Sequence, residues 1–302
     1  MVHETEPTSG HDKMYTMYGV DVIPPQKFPP LLREIPQPPQ TLWYAGTLPA
    51  PNLNLLAVVG SRKYTRYGQQ ALDSLIDELR GYPIGIVSGL AIGIDTLAHE
   101  AALRNNLYTL AMPGSGLDPS VVYPRRNKKL AEQIVSVGGG LLSEYEPLTH
   151  ATKWTFPQRN RLMAGITHGT LLIEAGERSG TLITARLASD YNREVLAVPG
   201  SIFSATSCGT NQFIQLGATP VVRGRDILSV FGIEEQSEQT KKSALQGVEL
   251  RIVSTLSEPL DIDTLSRRTA VPLETLRPLL MELELRGLVW TDRGHYVAMH
   301  QH

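Results

Sequence analysis

Glycine closes one short apolar run after another through the middle of this chain, and cations gather beside those glycines. Gly60 follows Leu55–Val59, and Gly89 follows the run beginning at Ile84. Gly114 and Gly200 each follow a run after one proline, and Gly176 follows Leu171–Ile173 two residues late. Glycine at the end of a strand lets backbone amides approach a ligand and point at an anion, helped by the N-terminus of the next helix. A single such glycine reads as a tight turn. Five of them in one region point to a phosphate site.

The type of anion is narrowed by what is missing. The first turn reads Val59-Gly60-Ser61-Arg62 rather than G-x-G-x-x-G, and Val87-Ser88-Gly89 offers no acidic residue for a ribose, which argues against NAD. No G-x-x-x-x-G-K-[ST] occurs for a nucleoside triphosphate, and no G-x-S-x-G for a serine hydrolase. His99-Glu100 lacks the second histidine of a zinc helix, so no metal is expected. No cofactor is expected either.

The cations suit a polyanion better. Arg62 and Lys63 sit in the first turn, next to Ser61. Arg125, Arg126, Lys128 and Lys129 cluster where a helix should begin, against the sign that its dipole favours, and Tyr123 stands beside them. A solvated charge run is the competing explanation there. Arg159-Asn160-Arg161, after Trp154-Thr155-Phe156, mixes groups that stack on bases and fork phosphates. Ser179-Gly180-Thr181 opens a further helix with hydroxyls and amides, although an ordinary cap would also place Ser179 there.

The elements that must hold these residues follow from periodicity. Leu55–Val59, Ile84–Val87, Thr109–Met112, Leu171–Ile173 and Val195–Val198 read as buried strands. Between them lie helical stretches such as Leu72, Leu75, Ile76 and Leu79, or Leu130, Ile134 and Val137 stopped by Gly138-Gly139-Gly140. The alternation predicts an α/β fold: a Rossmann-like, doubly wound, mostly parallel sheet over residues 55–233. Residues 1–54 are polar and then Pro-rich, which predicts an extended or disordered segment partly packed on the core through Leu31–Ile35 and Leu42–Tyr44. Residues 234–246 open on an apolar-free charged run and read as a linker. Residues 247–302 give three short helices and a hairpin turning at Asp292-Arg293-Gly294, a small winged-helix domain.

Composition adds exclusions. A net charge of −2 rules out a broadly basic binder but not a local groove. One cysteine, Cys208, permits no internal disulfide and no thiolate cluster, which fits a cytoplasmic protein. No apolar run approaches the roughly 18–20 residues that a spanning helix needs, and the first residues do not form a secretory signal, so no membrane partner is expected.

At this point the chain resembles the bacterial DNA-processing protein A family, also called Smf. The resemblance rests on VVGSRKYTRYG, IVSGLAIGIDTLAHEAAL, AMPGSGLD with YPRRNKKL, LLSEYEP, FPQRNRLMAGIT, LLIEAGERSGTLITARLAS and REVLAVPGS with GTNQFIQLGA, in that order over about residues 42–228. It implies a homodimer that binds and protects single-stranded DNA and loads the RecA recombinase during natural transformation. It further points to Arg62, to Gly114-Ser115-Gly116, to the basic segment at Lys128, and to Arg159-Asn160-Arg161. The N-terminus is shorter and richer in proline than the helical domain many members carry, and Arg125-Arg126 replace smaller or varied residues.

The expected interface therefore comprises Ser61, Arg62, Gly89, Gly114, Ser115, Gly116, Tyr123, Arg126, Lys128, Arg159, Asn160, Arg161, Ser179, Gly180 and Thr181, with no catalytic residue. The alternative is a nucleotide-binding phosphoribohydrolase of the cytokinin-activating type, which uses P-G-G-x-G-T-x-x-E at the corresponding strand end. Here Thr184 takes the place of that glutamate, and a hydroxyl cannot supply its carboxylate chemistry. A third possibility makes the winged helix a duplex reader and the larger domain a ligand sensor.

Overall fold

Apolar runs without alternation can bury both faces only inside a sheet covered by helices on each side. The computed structural model, which describes residues 19–177, 179–234, 247–285, 288–292 and 294–298, has that arrangement. Its strands are β1 (Asp21–Ile23), β2 (Leu42–Gly46), β3 (Asn54–Val59), β4 (Ile84–Ser88), β5 (Tyr108–Ala111), β6 (Gly140–Ser143), β7 (Gly169–Leu172), β8 (Glu194–Ala197) and β9 (Thr219–Pro220). They pair in the order β1-β2-β6-β5-β4-β3-β7-β8-β9. The β1–β2 and β2–β6 pairings are antiparallel and the others parallel. All five strands expected from the sequence are present, with ends shifted by at most two residues.

The connecting helices are α1 (Pro30–Arg33), α2 (Arg66–Asp77), α3 (Ile94–Arg104), α4 (Lys128–Ser136), α5 (Thr155–Ile166), α6 (Thr181–Asp190) and α7 (Cys208–Gln215). Helix α3 packs on α2 and α4, while α5 packs on α1 and α6, giving two helical layers. Two buried clusters reflect them: Leu90, Leu130, Ile134 and Leu141 in one, Leu32, Leu162, Met163 and Leu182 in the other. From β3 the chain steps outward through β4, β5 and β6, then returns to lay β7 against the other side of β3. The order reverses there, so a crevice opens beyond the carboxyl ends of β3 and β7.

Four strands escape the sequence reading: the edge strands β1 and β9, and β2 and β6. Leu42–Tyr44 does more than pack on the core: β2 enters the sheet, with Trp43 opposite Ser143 and Tyr44 opposite Leu142. Its partner β6 begins at Gly140, the third of the glycines read as a helix stop; only Gly138, at φ +90°, has the left-handed backbone that ends α4. Val137, expected on the apolar face of α4, is 63% exposed.

The chain divides into two compact units, Met1–Asp77 with Pro83–Gly224, and Glu78–Tyr82 with Arg225–His302. Helix α8 (Gly224–Val230) begins at that division. The second unit carries α9 (Val248–Thr255), α10 (Ile262–Thr269), α11 (Leu273–Leu285) and the hairpin β10 (Val289–Asp292) and β11 (His295–Ala298), a winged helix. Its core joins Ile252, Val253, Leu256, Leu265, Leu276, Leu280 and Leu283, whereas Leu250 on the same helix is exposed. Asp261 caps α10 by accepting the Thr264 amide hydrogen at 2.8 Å. The charged run after Glu234 and the Arg293 turn position lie outside the described residues.

Candidate functional site

The crevice beyond β3 and β7 is a cleft of about 740 Å³. The loop after β3 forms one wall, with Ser61, Arg62 and Lys63; α5 contributes Asn160, and the start of α6 contributes Ser179, Gly180 and Thr181. These elements are tied to one another before any ligand arrives. Ser61 Oγ accepts the Lys63 amide hydrogen at 3.0 Å and donates to its carbonyl at 2.8 Å. Thr181 donates to the Gly60 carbonyl at 3.1 Å, and Ser179 Oγ accepts the Thr181 amide hydrogen at 3.2 Å. Those hydroxyls are engaged by the fold. Gly180, by contrast, has open space where a Cβ would stand, so backbone there is open to a close approach.

Glu174, just past β7, is the fastener. Its buried carboxylate accepts the Thr65 amide hydrogen at 2.8 Å, the Thr65 hydroxyl at 2.6 Å and the Thr206 hydroxyl at 3.0 Å. Three loops, after β3, β7 and β8, are thereby locked together, which is the rigidity a binding surface on loops requires.

Arg159 and Arg161 part company. Arg159 is 6% exposed and donates to the carbonyls of Gly89, at 2.6 Å, and of Met112, while its Nε–H donates to Asn160 Oδ1 at 3.1 Å. The place of a Cβ on Gly89 is filled by that guanidinium. Gly89 is needed for the protein's own arginine, so the close approach is internal. Burial pulls the Arg159 pKa down to about 10, and the nearby Asp95 carboxylate draws it back up, so it stays charged at neutral pH. Burial likewise raises Asp95, against the pull of Arg159 and Arg62. Arg161 points elsewhere: it pairs with Glu144 and donates to the Gln37 carbonyl at 2.7 Å. The cleft lining does not include Arg161.

Phe156 links the remaining pieces. The Arg62 guanidinium lies 5.5 Å from the centre of its ring, and the Tyr123 ring centre 5.7 Å away at 56°. A Cβ on Gly114 would stand 2.6 Å from the same ring, so glycine there seats Phe156. Gly114 is absent from the positive-φ glycines, which removes backbone handedness as the reason for it. Ser115 is fully buried, donating to the Gly116 carbonyl at 3.0 Å and accepting from the Tyr123 amide at 3.3 Å. Gly116 packs against the backbone of Glu146 and Pro147. These two position Tyr123 and its loop and offer no surface to a ligand. Trp154 is 70% exposed with the Lys153 ammonium 4.9 Å from its ring centre.

The basic segment is a 3₁₀ turn, Arg125–Asn127, running into α4 at Lys128. Buried Asn127 anchors it, donating to the Leu90 carbonyl and the Thr96 hydroxyl at 2.8 Å each. Arg125, Arg126 and Lys129 are exposed and Lys128 half-buried. Among the described residues these four, with Arg62 and Lys63, make no ion pair. Six unpaired cations at the carboxyl ends of the sheet are a surface prepared for anions.

Sequence reasoning left Lys153, Asp95 and Glu174 out of the site. Lys153 adjoins aromatic residues already read as base-stacking, which was a usable signal. Asp95 and Glu174 carry none, because a lone acidic residue gives no sign that folding will bury it against an arginine or a loop amide. No group of His, Cys, Asp and Glu among the described residues is arranged to hold a metal ion.

The family model described as DNA recombination-mediator protein A matches residues 21–232, and the DprA winged helix domain matches residues 236–295. Protein Smf of Escherichia coli K12 is 35% identical over 282 residues, covering 90% of this chain and 75% of that one. DNA processing protein DprA of Streptococcus pneumoniae R6 is 44% identical over 200 residues, 66% of this chain and 70% of that one. The X-ray structure of the Streptococcus pneumoniae protein aligns with a TM-score of 0.66 at 40% identity, covering 71% of this chain and 75% of that one. A structure of DNA processing protein A from Helicobacter pylori, described by its unique single-stranded DNA binding mode, aligns with a TM-score of 0.64 at 28% identity, covering 72% and 98%.

Proposed function

We infer, because this chain belongs to the DNA recombination-mediator protein A family, that it binds single-stranded DNA across the carboxyl ends of its parallel strands. The observation that carries this reading is the set of cations without an ion pair among the described residues, set beside aromatic rings: Arg62 over the half-buried Phe156, Lys153 over the exposed Trp154, and Arg125 to Lys129 beside the exposed Tyr123. Cations follow a phosphate backbone, and rings accept any base by stacking, so together they hold a strand without reading its sequence. Open backbone at Gly180 lets a phosphate come close to the N-terminal end of α6, where the helix dipole favours an anion.

The chain is a mediator of recombination, not a catalyst. That sets aside the phosphoribohydrolase alternative, whose glutamate position is here the buried Thr184. In our reading the protein acts as a homodimer, protects strands entering by transformation, and loads RecA onto them. No helix among the described residues is long and apolar enough to cross a membrane.

The test is an anisotropy titration of oligo-dT and of duplex of equal length at several salt concentrations. Oligo-dT should bind more tightly, and log affinity should fall with log salt by roughly 0.7 per neutralised phosphate. An affinity that ignores salt would refute the reading.

A further inference from the structure

The loop after β3 has two sides. Arg62 and Lys63 line the cleft, whereas Thr65 and Tyr67 line a second hollow of about 450 Å³, closed opposite by Pro199, Ser201 and Ser204. The segment joining the two reads Arg62-Lys63-Tyr64-Thr65-Arg66-Tyr67, with Tyr64 41% and Tyr67 48% exposed and Arg66 exposed between them. Exposed cations and rings thus alternate in sequence through the segment that joins the two hollows. Tyr67 is held in place by its hydroxyl, which donates to the Pro199 carbonyl at 2.5 Å.

The far rim of the second hollow is a turn, in which the Ser204 amide hydrogen meets the Ser201 carbonyl at 3.0 Å and the Phe203 amide hydrogen meets Ser201 Oγ at 3.2 Å. At its tip Ile202 is 83% and Phe203 93% exposed. Single exposed apolar residues are ordinary on a protein surface. This pair sits on a pinned turn: Ser204 Oγ is 2.9 Å from Thr206 Oγ1, which donates to the same buried Glu174 that fastens the loop after β3. A rigid mount for an unburied aromatic ring, beside the serine hydroxyls of the hollow, suits a base stacked over a phosphate. The carboxylate in the hollow, Glu174, is buried with its oxygens engaged by Thr65 and Thr206, so no carboxylate oxygen stands at the surface to meet a phosphate directly.

We propose that this hollow and the Ile202–Phe203 tip form a second nucleotide subsite, reached by a single strand that leaves the cleft over the Arg62–Thr65 loop and the first turn of α2. The proposal rests on the reading of the cleft as a single-strand site. The occupant is single-stranded DNA, whose bases stack on Phe203 and Tyr67 and whose phosphate meets Arg66 and the serine hydroxyls.

The experiment titrates the full chain with a ladder of oligo-dT from about 4 to 16 nucleotides, spanning common single-strand site sizes. Phe203→Ala should match the unmodified protein on the shortest oligomers and weaken about 5- to 100-fold on the longer ones, as loss of one stacked base implies. Phe203→Trp should restore the longer-oligomer affinity, and Arg62→Ala should weaken binding at every length. If Phe203→Ala binds the whole ladder normally while Arg62→Ala does not, the second subsite is refuted and the cleft stands. If Arg62→Ala is also unimpaired, the reading of the cleft fails. A changed solution mass for Phe203→Ala would refute the subsite as well, marking the tip as a contact between copies.

Discussion

Arg62 and Arg159 both line the cleft, yet they should fail in opposite ways when truncated. The Arg159 guanidinium is buried, donating to the carbonyls at the ends of β4 and β5 and facing the Asp95 carboxylate. Arg159→Ala removes charge-assisted hydrogen bonds worth about 1.5–3 kcal/mol each and leaves Asp95 without its main counter-charge. These are parts of one interaction, so the whole is better taken as a broken buried pair, about 3–5 kcal/mol. At about 2–4 °C per kcal/mol for a unit of this size, Tm should fall by roughly 6–20 °C. Arg62 is exposed and rests on Phe156, a contact of about 0.5–1 kcal/mol, so Arg62→Ala should move Tm by only about 1–4 °C. Its cost should appear in DNA affinity, about ten- to a hundredfold for a charge-assisted contact of about 1.5–3 kcal/mol.

The pH dependence separates the two further. Burial holds the folded-state pKa of Asp95 above its ordinary value, and losing Arg159 should raise it more. A carboxyl whose pKa is raised on folding costs nothing below its unfolded-state value; the penalty grows as pH rises from there to the folded-state value and is full above it. Thermal melts followed by circular dichroism should therefore show a larger deficit for Arg159→Ala at pH 7 than near pH 4. Adding Asp95→Asn should recover part of the loss at pH 7. If Arg159→Ala melts like the unmodified protein and loses affinity as Arg62→Ala does, Arg159 is a ligand contact and this assignment is wrong.

Gly114→Val should impair oligo-dT binding more than Ser115→Ala, because its Cβ would displace Phe156 from beneath Arg62; Ser115→Ala should instead cost about 1 kcal/mol of stability, read by denaturant titration. Burial lowers the His99 pKa from 6.5 to about 3, so this imidazole stabilises the fold above pH 6.5 and that contribution is lost as pH falls towards 3; His99→Asn should flatten stability against pH over that window in melts at stepped pH. Truncation after Gln236 should leave most oligo-dT affinity in place, since α11 presents Glu274 and Glu282 where a groove reader carries Arg, Lys, Asn or Gln; loss of most affinity from a folded, truncated protein would make the wing part of the site.

The sheet was legible because its central strands are apolar on both faces and end in glycine or proline, a pattern with few other structural solutions. β2 and β6 were not, for a local reason: β2 follows a Pro-rich stretch that reads as extended, and β6 starts inside a run of three glycines that reads only as a stop. For the site, residue type located the right end of the sheet but misjudged which way side chains face. Gly89 and Gly114 were read as room for a ligand, and the room is taken by Arg159 and Phe156. Arg159 and Arg161, two apart on α5, diverge by about 200° around the helix, so one enters the floor of the cleft and the other reaches Glu144. Spacing alone contained that divergence; what it lacked was the partner that makes each direction stable. The same holds for Glu174, whose carboxylate is satisfied by loops roughly 30 and 110 positions away in sequence. Residues that touch a polyanion must be left unpaired by the fold, and a sequence shows charges without showing which of them folding will pair. The cations that make no ion pair among the described residues are the ones to test first, and at this end of the sheet they include Arg62, Lys63 and the Arg125–Lys129 segment.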